Sequence, residues 1–421
     1  DFEGFEIQSL TSSTDTDVIF SYDADWGNED SWSPFIYDYF SETLRDRRTF
    51  SQEFRLVSDA ADLKRNKKIE WIFGVSYLEI KESNLKKDDG NYGDPSDPYG
   101  PYASSSSSLS KYKSENFSVF GNIDYLLSET IKLSLGMRWE DWESEYSDTL
   151  GDEFNPSNNM SGGKISLIKK IENDTNIFAS IAKGYKQGGF NLGLGLASDS
   201  LNNNLLYDPE YLTNYELGIN SKAMNSRINF SAVMFYSDRE DQQVLVSTQA
   251  DPSDPNTFSF LTKNAAEGVN YGLEVNMTMD LNENVNVFAN LGLLETEIKN
   301  WKSRTDLEGR AQAHAPKRSY AVGMNWNPAQ NYYLRLDVTG KSSFYYSDSH
   351  DNQSKSYSLT NLSLGYQKDQ WNAEFWVRNA FDRYYSLRGF YFGNEPPNFQ
   401  DTLYERHGDP RYSGVSLRYD F

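Results

Sequence analysis

Only three side chains of this chain, His314, His350 and His407, carry the imidazole that exchanges protons near neutral pH. They lie far apart in polar stretches, and none has a partner at metal-ligand spacing. A Ser-His-Asp hydrolase could be built around any of them, yet no serine is marked as a nucleophile and no carboxylate as an orienting acid. The chain holds no cysteine, which excludes a thiolate nucleophile, Cys-ligated zinc and a disulfide framework. Asp94-Pro95-Ser96-Asp97-Pro98 recurs as Asp251-Pro252-Ser253-Asp254-Pro255, oxygen-rich but without EF-hand spacing. Both copies read as Asx-Pro turns. Neither catalysis, a resident metal nor a cofactor is expected.

Binding chemistry is better supplied. Trp26, Trp32, Tyr37 and Tyr39 stand among acids in the first long loop. Together they could stack on a sugar or a catecholate, or pack their own loop and a membrane-edge girdle. Lys186, Gln187 and Asn191 follow a strand-like run and could touch a ligand. Gly184, Gly188 and Gly189 between them offer the plainer reading of a bent strand end.

These residues need a scaffold, and the sequence points to strands. In the last stretch Val415, Leu417, Tyr419 and Phe421 alternate with Gly414, Ser416, Arg418 and Asp420, the period of two of a β-strand. The pattern recurs. Phe117, Val119, Ile123 and Tyr125 run to the turn Ser128-Glu129-Thr130, after which Ile131, Leu133, Leu135, Met137 and Trp139 alternate with Lys132, Ser134, Gly136, Arg138 and Glu140. Charges keep to one face, as expected where the other meets hydrocarbon and an Arg at the midplane costs about 2–4 kcal/mol.

Short turns at Glu172-Asn173-Asp174, Ala223-Met224-Asn225, Asn282-Glu283-Asn284, Asn327-Pro328-Ala329-Gln330 and Lys368-Asp369-Gln370 alternate with long polar segments, among them Glu143 to Met160 and Lys341 to Ser356. Lys86 to Lys113, with its serine run Ser104 to Ser108, reads as loop by composition. Turns on one side and loops on the other are the asymmetry of a transmembrane antiparallel β-barrel. About sixteen strands are counted. Lys132, Arg138, Glu140, Glu274, Arg335, Asp337, Glu374 and Arg378 fall on the polar, lumen-facing side, where they could tune passage or pair with one another.

Composition agrees. A mean hydropathy of -0.71 excludes helical membrane spans but not a barrel, in which only alternate residues meet lipid. The 29 Tyr, 25 Phe and 9 Trp suit strands and membrane interfaces. A net charge of -22 argues against nucleic acid as a partner.

Several strings resemble the barrel of TonB-dependent outer-membrane receptors. They are Thr49-Phe50-Ser51-Gln52-Glu53-Phe54-Arg55-Leu56-Val57-Ser58 with Trp71-Ile72-Phe73-Gly74-Val75, then Lys183 to Asn191, Asn214-Tyr215-Glu216-Leu217-Gly218, Val377-Arg378-Asn379-Ala380-Phe381-Asp382, and Pro410 to Phe421. The resemblance covers nearly the whole chain and implies a 22-stranded barrel, an N-terminal plug and a TonB box that couples uptake to inner-membrane energy. It implies a scarce ligand, most often a ferric siderophore, otherwise haem, cobalamin or an oligosaccharide. It also implies the outer membrane of a Gram-negative bacterium, with its lipid, the TonB complex and the barrel-assembly machinery as partners. Tyr419 and Phe421 would be the C-terminal assembly signal. No plug, TonB box or first strands are found in residues 1–421, so the whole chain is expected to be one barrel domain, incomplete at its N-terminal side. A passive sixteen-stranded porin is the alternative from another class, and a surface adhesin a third.

Overall fold

The computed structural model describes residues 4–25, 27, 29–58, 68–171, 174–191, 206–249, 258–301, 304–348, 350–393, 395 and 400–421. In chain order its strands are β1 (Phe5–Asp23), β2 (Ile36–Ser58), β3 (Ile69–Gly93), β4 (Tyr102–Leu126), β5 (Ile131–Asp148), β6 (Glu153–Phe154), β7 (Ser157–Ile171) and β8 (Thr175–Lys186). There follow β9 (Gly189–Phe190), β10 (Leu206–Tyr207), β11 (Glu210–Ala223), β12 (Ile228–Gln249), β13 (Phe258–Asn282), β14 (Val285–Trp301) and β15 (Arg318–Ala329). The last are β16 (Tyr332–Lys341), β17 (Tyr357–Lys368), β18 (Trp371–Arg378), β19 (Ser386–Phe392), β20 (Thr402–His407) and β21 (Tyr412–Tyr419). One four-residue helix, Glu29–Trp32, sits in the first loop.

The expected sixteen long strands are present, with the short β6, β9, β10, β19 and β20 outside that wall. Each wall strand pairs antiparallel with the next in sequence, as β4 does with β5 and β5 with β7. Among the described strands β1 pairs only with β2, and β21 only with β18.

Register makes the two faces explicit. Ile123 stands across from Leu135, Leu135 from Ile165, Ile165 from Ile181, and Ile181 from Tyr215. Leu135, Ile165 and Ile181 are each nearly half exposed, because lipid rather than protein covers them. Followed further, the same row passes Tyr236 and Tyr271 to reach Glu295. Leu135 lies four residues beyond the start of β5 at Ile131, whereas Glu295 lies ten beyond the start of β14 at Val285. Directly opposed residues therefore climb from strand to strand, the stagger that tilted strands of a barrel require.

Turns at the near end are tight. Met224, Asn225 and Ser226 take φ of 52°, 57° and 65°, and Asp369 takes 52°, the left-handed values that reverse a hairpin within a few residues. At the far end the strands outrun the membrane. β3 and β4 pair from Tyr92 and Tyr102 downward, so Lys86 to Lys113, read as loop, is mostly a hairpin with Ser104 opposite Gly90 and Ser108 opposite Lys86. Water on both sides removes the alternation that lipid imposes, and the ladder itself then holds the strands. Ser105 adds a bond of 2.6 Å to Asp89.

The apolar core lies in this outer extension. Val244, Ala266, Ile298, Trp301 and Leu307 form one buried cluster. The wall itself is one layer with little to bury inside.

Candidate functional site

On the inner face above the membrane, Tyr112 of β4 stands directly across from Tyr146 of β5, and Tyr146 from Phe154 of β6. Phe190 of β9 joins them, its ring centroid 5.9 Å from Tyr112, 5.2 Å from Tyr146 and 5.5 Å from Phe154. Below this aromatic wall Trp142 is buried and donates Nε1–H to Ser114 Oγ at 2.8 Å. Lower still, Arg138 pairs with Glu140 at 2.8 Å. Asn116 and the Tyr185 hydroxyl also donate to Glu140, at 2.7 and 3.1 Å. A half-buried aromatic surface over a fixed charge pair can take a planar, polar ligand.

Farther round the inner wall, β13 to β17 and the segment before β19 enclose a groove of about 570 Å³. Glu274, Asn290, Ser319 and Lys341 line it, with the tilted rings of Tyr357 and Tyr385 4.7 Å apart. Among the described residues neither Glu274 nor Lys341 has an ion-pair partner, so both signs of charge face the groove without neutralisation.

The profile of the TonB dependent receptor-like, beta-barrel family matches residues 3–380. The chain belongs to this family. The pesticin receptor of Yersinia pestis is 22% identical over 377 residues, which are 86% of this chain and 50% of that protein. A probable TonB-dependent siderophore receptor, PiuA of Acinetobacter baumannii, is 25% identical over 178 residues, 41% of this chain and 22% of that one. Among solved structures, the ferric yersiniabactin uptake receptor FyuA from Yersinia pestis aligns with a TM-score of 0.73 at 17% identity, covering 100% of this chain and 60% of that one. The chain thus spans half or less of these curated relatives. Receptor barrels of this family are outer-membrane proteins of Gram-negative bacteria, and the exposed band of Leu135, Ile165 and Ile181 faces that membrane.

The receptor barrel places the residues singled out by sequence as follows. Trp26 lies outside the described residues, as does Asp251 to Pro255. Trp32 is buried at 4.4 Å from Tyr37, which is 4.7 Å from Tyr39, so the three tilted rings pack on one another where the first loop enters β2, which begins at Ile36. Asp94 and Asp97 make Asx turns, accepting from the N–H of Ser96 at 2.8 Å and of Tyr99 at 2.9 Å.

Lys186 is exposed at the end of β8. Gln187 receives Asn116 Nδ2 at 3.5 Å and offers its carbonyl to Gln243 Nε2 at 2.8 Å. Asn191 is buried, and its amide engages both backbone polar groups of one residue, Thr262. Nδ2 donates to Thr262 O at 2.9 Å, and Oδ1 accepts from Thr262 N at 2.7 Å. This engagement ties the β8 end to β13.

Of the lumen-facing charges, Lys132 pairs with Asp124 at 2.8 Å and Asp337 accepts from Asn361 at 2.7 Å. Arg335 lies 4.8 Å over Tyr333 and Arg378 6.0 Å over Trp376. Glu374 stands across from Gly365 and Ser416. Tyr419 packs on Trp371 at 4.9 Å, while Phe421 is fully exposed at 5.0 Å from Tyr419.

The histidines sit in the outer loops. His407 Nδ1 is 3.3 Å from Ser386 Oγ, and its Nε2 meets the Tyr384 hydroxyl. Ser386 and Tyr384 are thus the hydrogen-bond partners of that ring among the described residues. His314 and His350 lie near Arg310, and burial lowers the pKa of both imidazoles from 6.5. Asp348 is raised by burial, against the pull of Arg310. Tyr346 hydrogen-bonds Glu405 of β20, and burial with that carboxylate pushes its hydroxyl to about 12.

The aromatic wall of Tyr112, Tyr146, Phe154 and Phe190 was not singled out in advance. Its members come from four separate stretches, and only pairing brings them together. The signal available in sequence was parity alone, Tyr112 falling in step with Asn116 and Tyr146 with Glu140 on the polar face.

Proposed function

We propose that this chain is the barrel part of an active-transport receptor that captures a ferric siderophore at its outer mouth and passes it through the lumen with TonB-coupled energy. The aromatic wall over the Arg138–Glu140 pair carries the reading, since it offers stacking and charge to a planar, anionic complex at the outer end of the lumen. Names of relatives speak in the same direction, PiuA as a siderophore receptor and FyuA as a ferric yersiniabactin receptor.

In this reading strands beyond residues 1–421 pair with the free edges of β1 and β21, a plug fills the lumen, and TonB engages the plug side. An unpaired edge in lipid leaves peptide groups without partners, each at a cost of several kcal/mol. The porin reading needs β1 paired to β21, and among the described strands neither makes that pairing.

Radio-iron uptake by cells that carry the full-length gene product tests the proposal. Uptake from a panel of ferric siderophores should require both the receptor and an intact TonB system. Uptake of no member, or uptake indifferent to TonB, would overturn it.

A further inference from the structure

A cation without a partner stands at the outer rim of the apolar band. Arg318 opens β15 directly across from Leu293 and shares its lipid-facing side. It lies eleven residues from Ala329 at the opposite end of the strand, about the 9–11 residues a tilted strand needs to cross a bilayer, so its guanidinium reaches headgroup depth.

Below it the outer face is hollowed into a groove of about 820 Å³ floored by Leu217, Met234, Leu273 and Leu293. Tyr215, Tyr236 and Tyr271 run side by side along it, with successive centroids 6.3 Å apart. Neighbouring lysines are already neutralised, Lys317 by Glu295 and Lys299 by Glu297, each at 2.7 Å. Among the described residues no carboxylate lies within ion-pair distance of Arg318.

We propose that this groove is a lipid site, in which an acyl chain of an outer-leaflet lipid lies on the leucines and its headgroup phosphate is held by Arg318. An alkyl chain matches the floor, and the fork of an arginine matches two phosphate oxygens. The unneutralised guanidinium of Arg318 favours an anionic headgroup over a zwitterionic one. The proposal needs only the membrane placement and is independent of what the lumen carries.

The test is native mass spectrometry of the full-length receptor purified from outer membranes in mild detergent. Wild type should retain a phosphorylated lipid through detergent washing. Arg318→Glu should lower that retention roughly tenfold, the worth of one charge-assisted pair. Arg318→Lys should fall between, and Lys317→Gln should match wild type. Heat-modifiable migration in gels reports assembly, and Arg318→Gln replaces the glutamate variant should that one fail to assemble. Equal retention by the Arg318 variant and wild type would overturn the proposal. So would equal retention of enzymatically dephosphorylated lipid, which would leave an acyl groove without headgroup recognition.

Discussion

Arg310 lies over the ring of Tyr345, its Cζ 4.2 Å from the centroid, and its guanidinium bridges from the β14–β15 connection to the β16–β17 connection. Nη1 donates to Asp351 at 2.6 Å and to His350 O at 3.2 Å, and Nη2 to Ser347 O at 2.5 Å, with the side chain only 9% exposed. One cation thus closes two loops across a sequence separation of 37 to 41 residues.

Arg310→Ala should release both loops. The substitution removes three hydrogen bonds from a buried guanidinium, about 1 kcal/mol each, so amide exchange across residues 304–316 and 342–356 should quicken by roughly a hundredfold, as that energy implies. The barrel should assemble as before. Unchanged exchange in the second loop would show that Arg310 does not bridge them.

Acid should loosen the same cap. His314 and His350 have folded pKa values below their ordinary 6.5, so the stability they contribute is present above 6.5 and is lost as pH falls through the folded values. Asp348 has the opposite sign. Its pKa is raised above 3.8, so its contribution is present below 3.8 and is lost as pH rises through the folded value. Arg388, Lys341, Arg310, Arg239 and Asp351 are the other charges facing these groups. Two histidines stand against one carboxylate, and the expected outcome is that protease cleavage of the loops rises as pH drops below 6.5. His314→Gln with His350→Gln should flatten that dependence, and a profile unaltered by the double substitution would refute the assignment.

Asn191→Ala removes both bonds to the Thr262 backbone, a net loss of roughly 2 kcal/mol at about 1 kcal/mol per bond. Asn191→Asp keeps the acceptor and sets a carboxylate against the Thr262 carbonyl, so it should be no better. The readout is protection of the Thr262 amide in hydrogen exchange. Weakened ligand binding with full Thr262 protection would point to direct ligand contact instead.

Leu135→Arg should block membrane assembly, because the exposed Leu135 side chain lies in the band that meets lipid, where arginine costs about 2–4 kcal/mol. Ser134→Arg places the same group on the polar face beside Asn122, whose Oδ1 accepts from Ser134 at 3.3 Å, and should be tolerated. Heat-modifiable migration in gels separates the two outcomes, and equal assembly would contradict the face assignment.

The wall was legible because lipid enforces it. Wherever a strand crosses hydrocarbon, alternation is strict, and Leu135 and Ser134 fall on the faces read for them. Outside the bilayer nothing enforces the pattern, which is why the serine run of β4 looked like loop. Site residues fared according to range. The pairing of Lys132 with Asp124 joins neighbouring strands, the mutual pairing named as one reading of the polar face. The bridge from Arg310 and the grip of Asn191 on Thr262 join segments that no local pattern connects, and only the folded loops bring them together.

The long hairpin of β3 and β4 sets what the cell presents outward. From Tyr77, near the upper edge of the apolar band, to Gly93 the strand runs on for roughly 50 Å at about 3.3 Å per residue. It ends in a tip where Tyr99 is 84% exposed. A protease or labelling reagent added outside the cell reaches this tip without entering the lumen, so Tyr99 is open to substitution or tagging that leaves the barrel interior untouched.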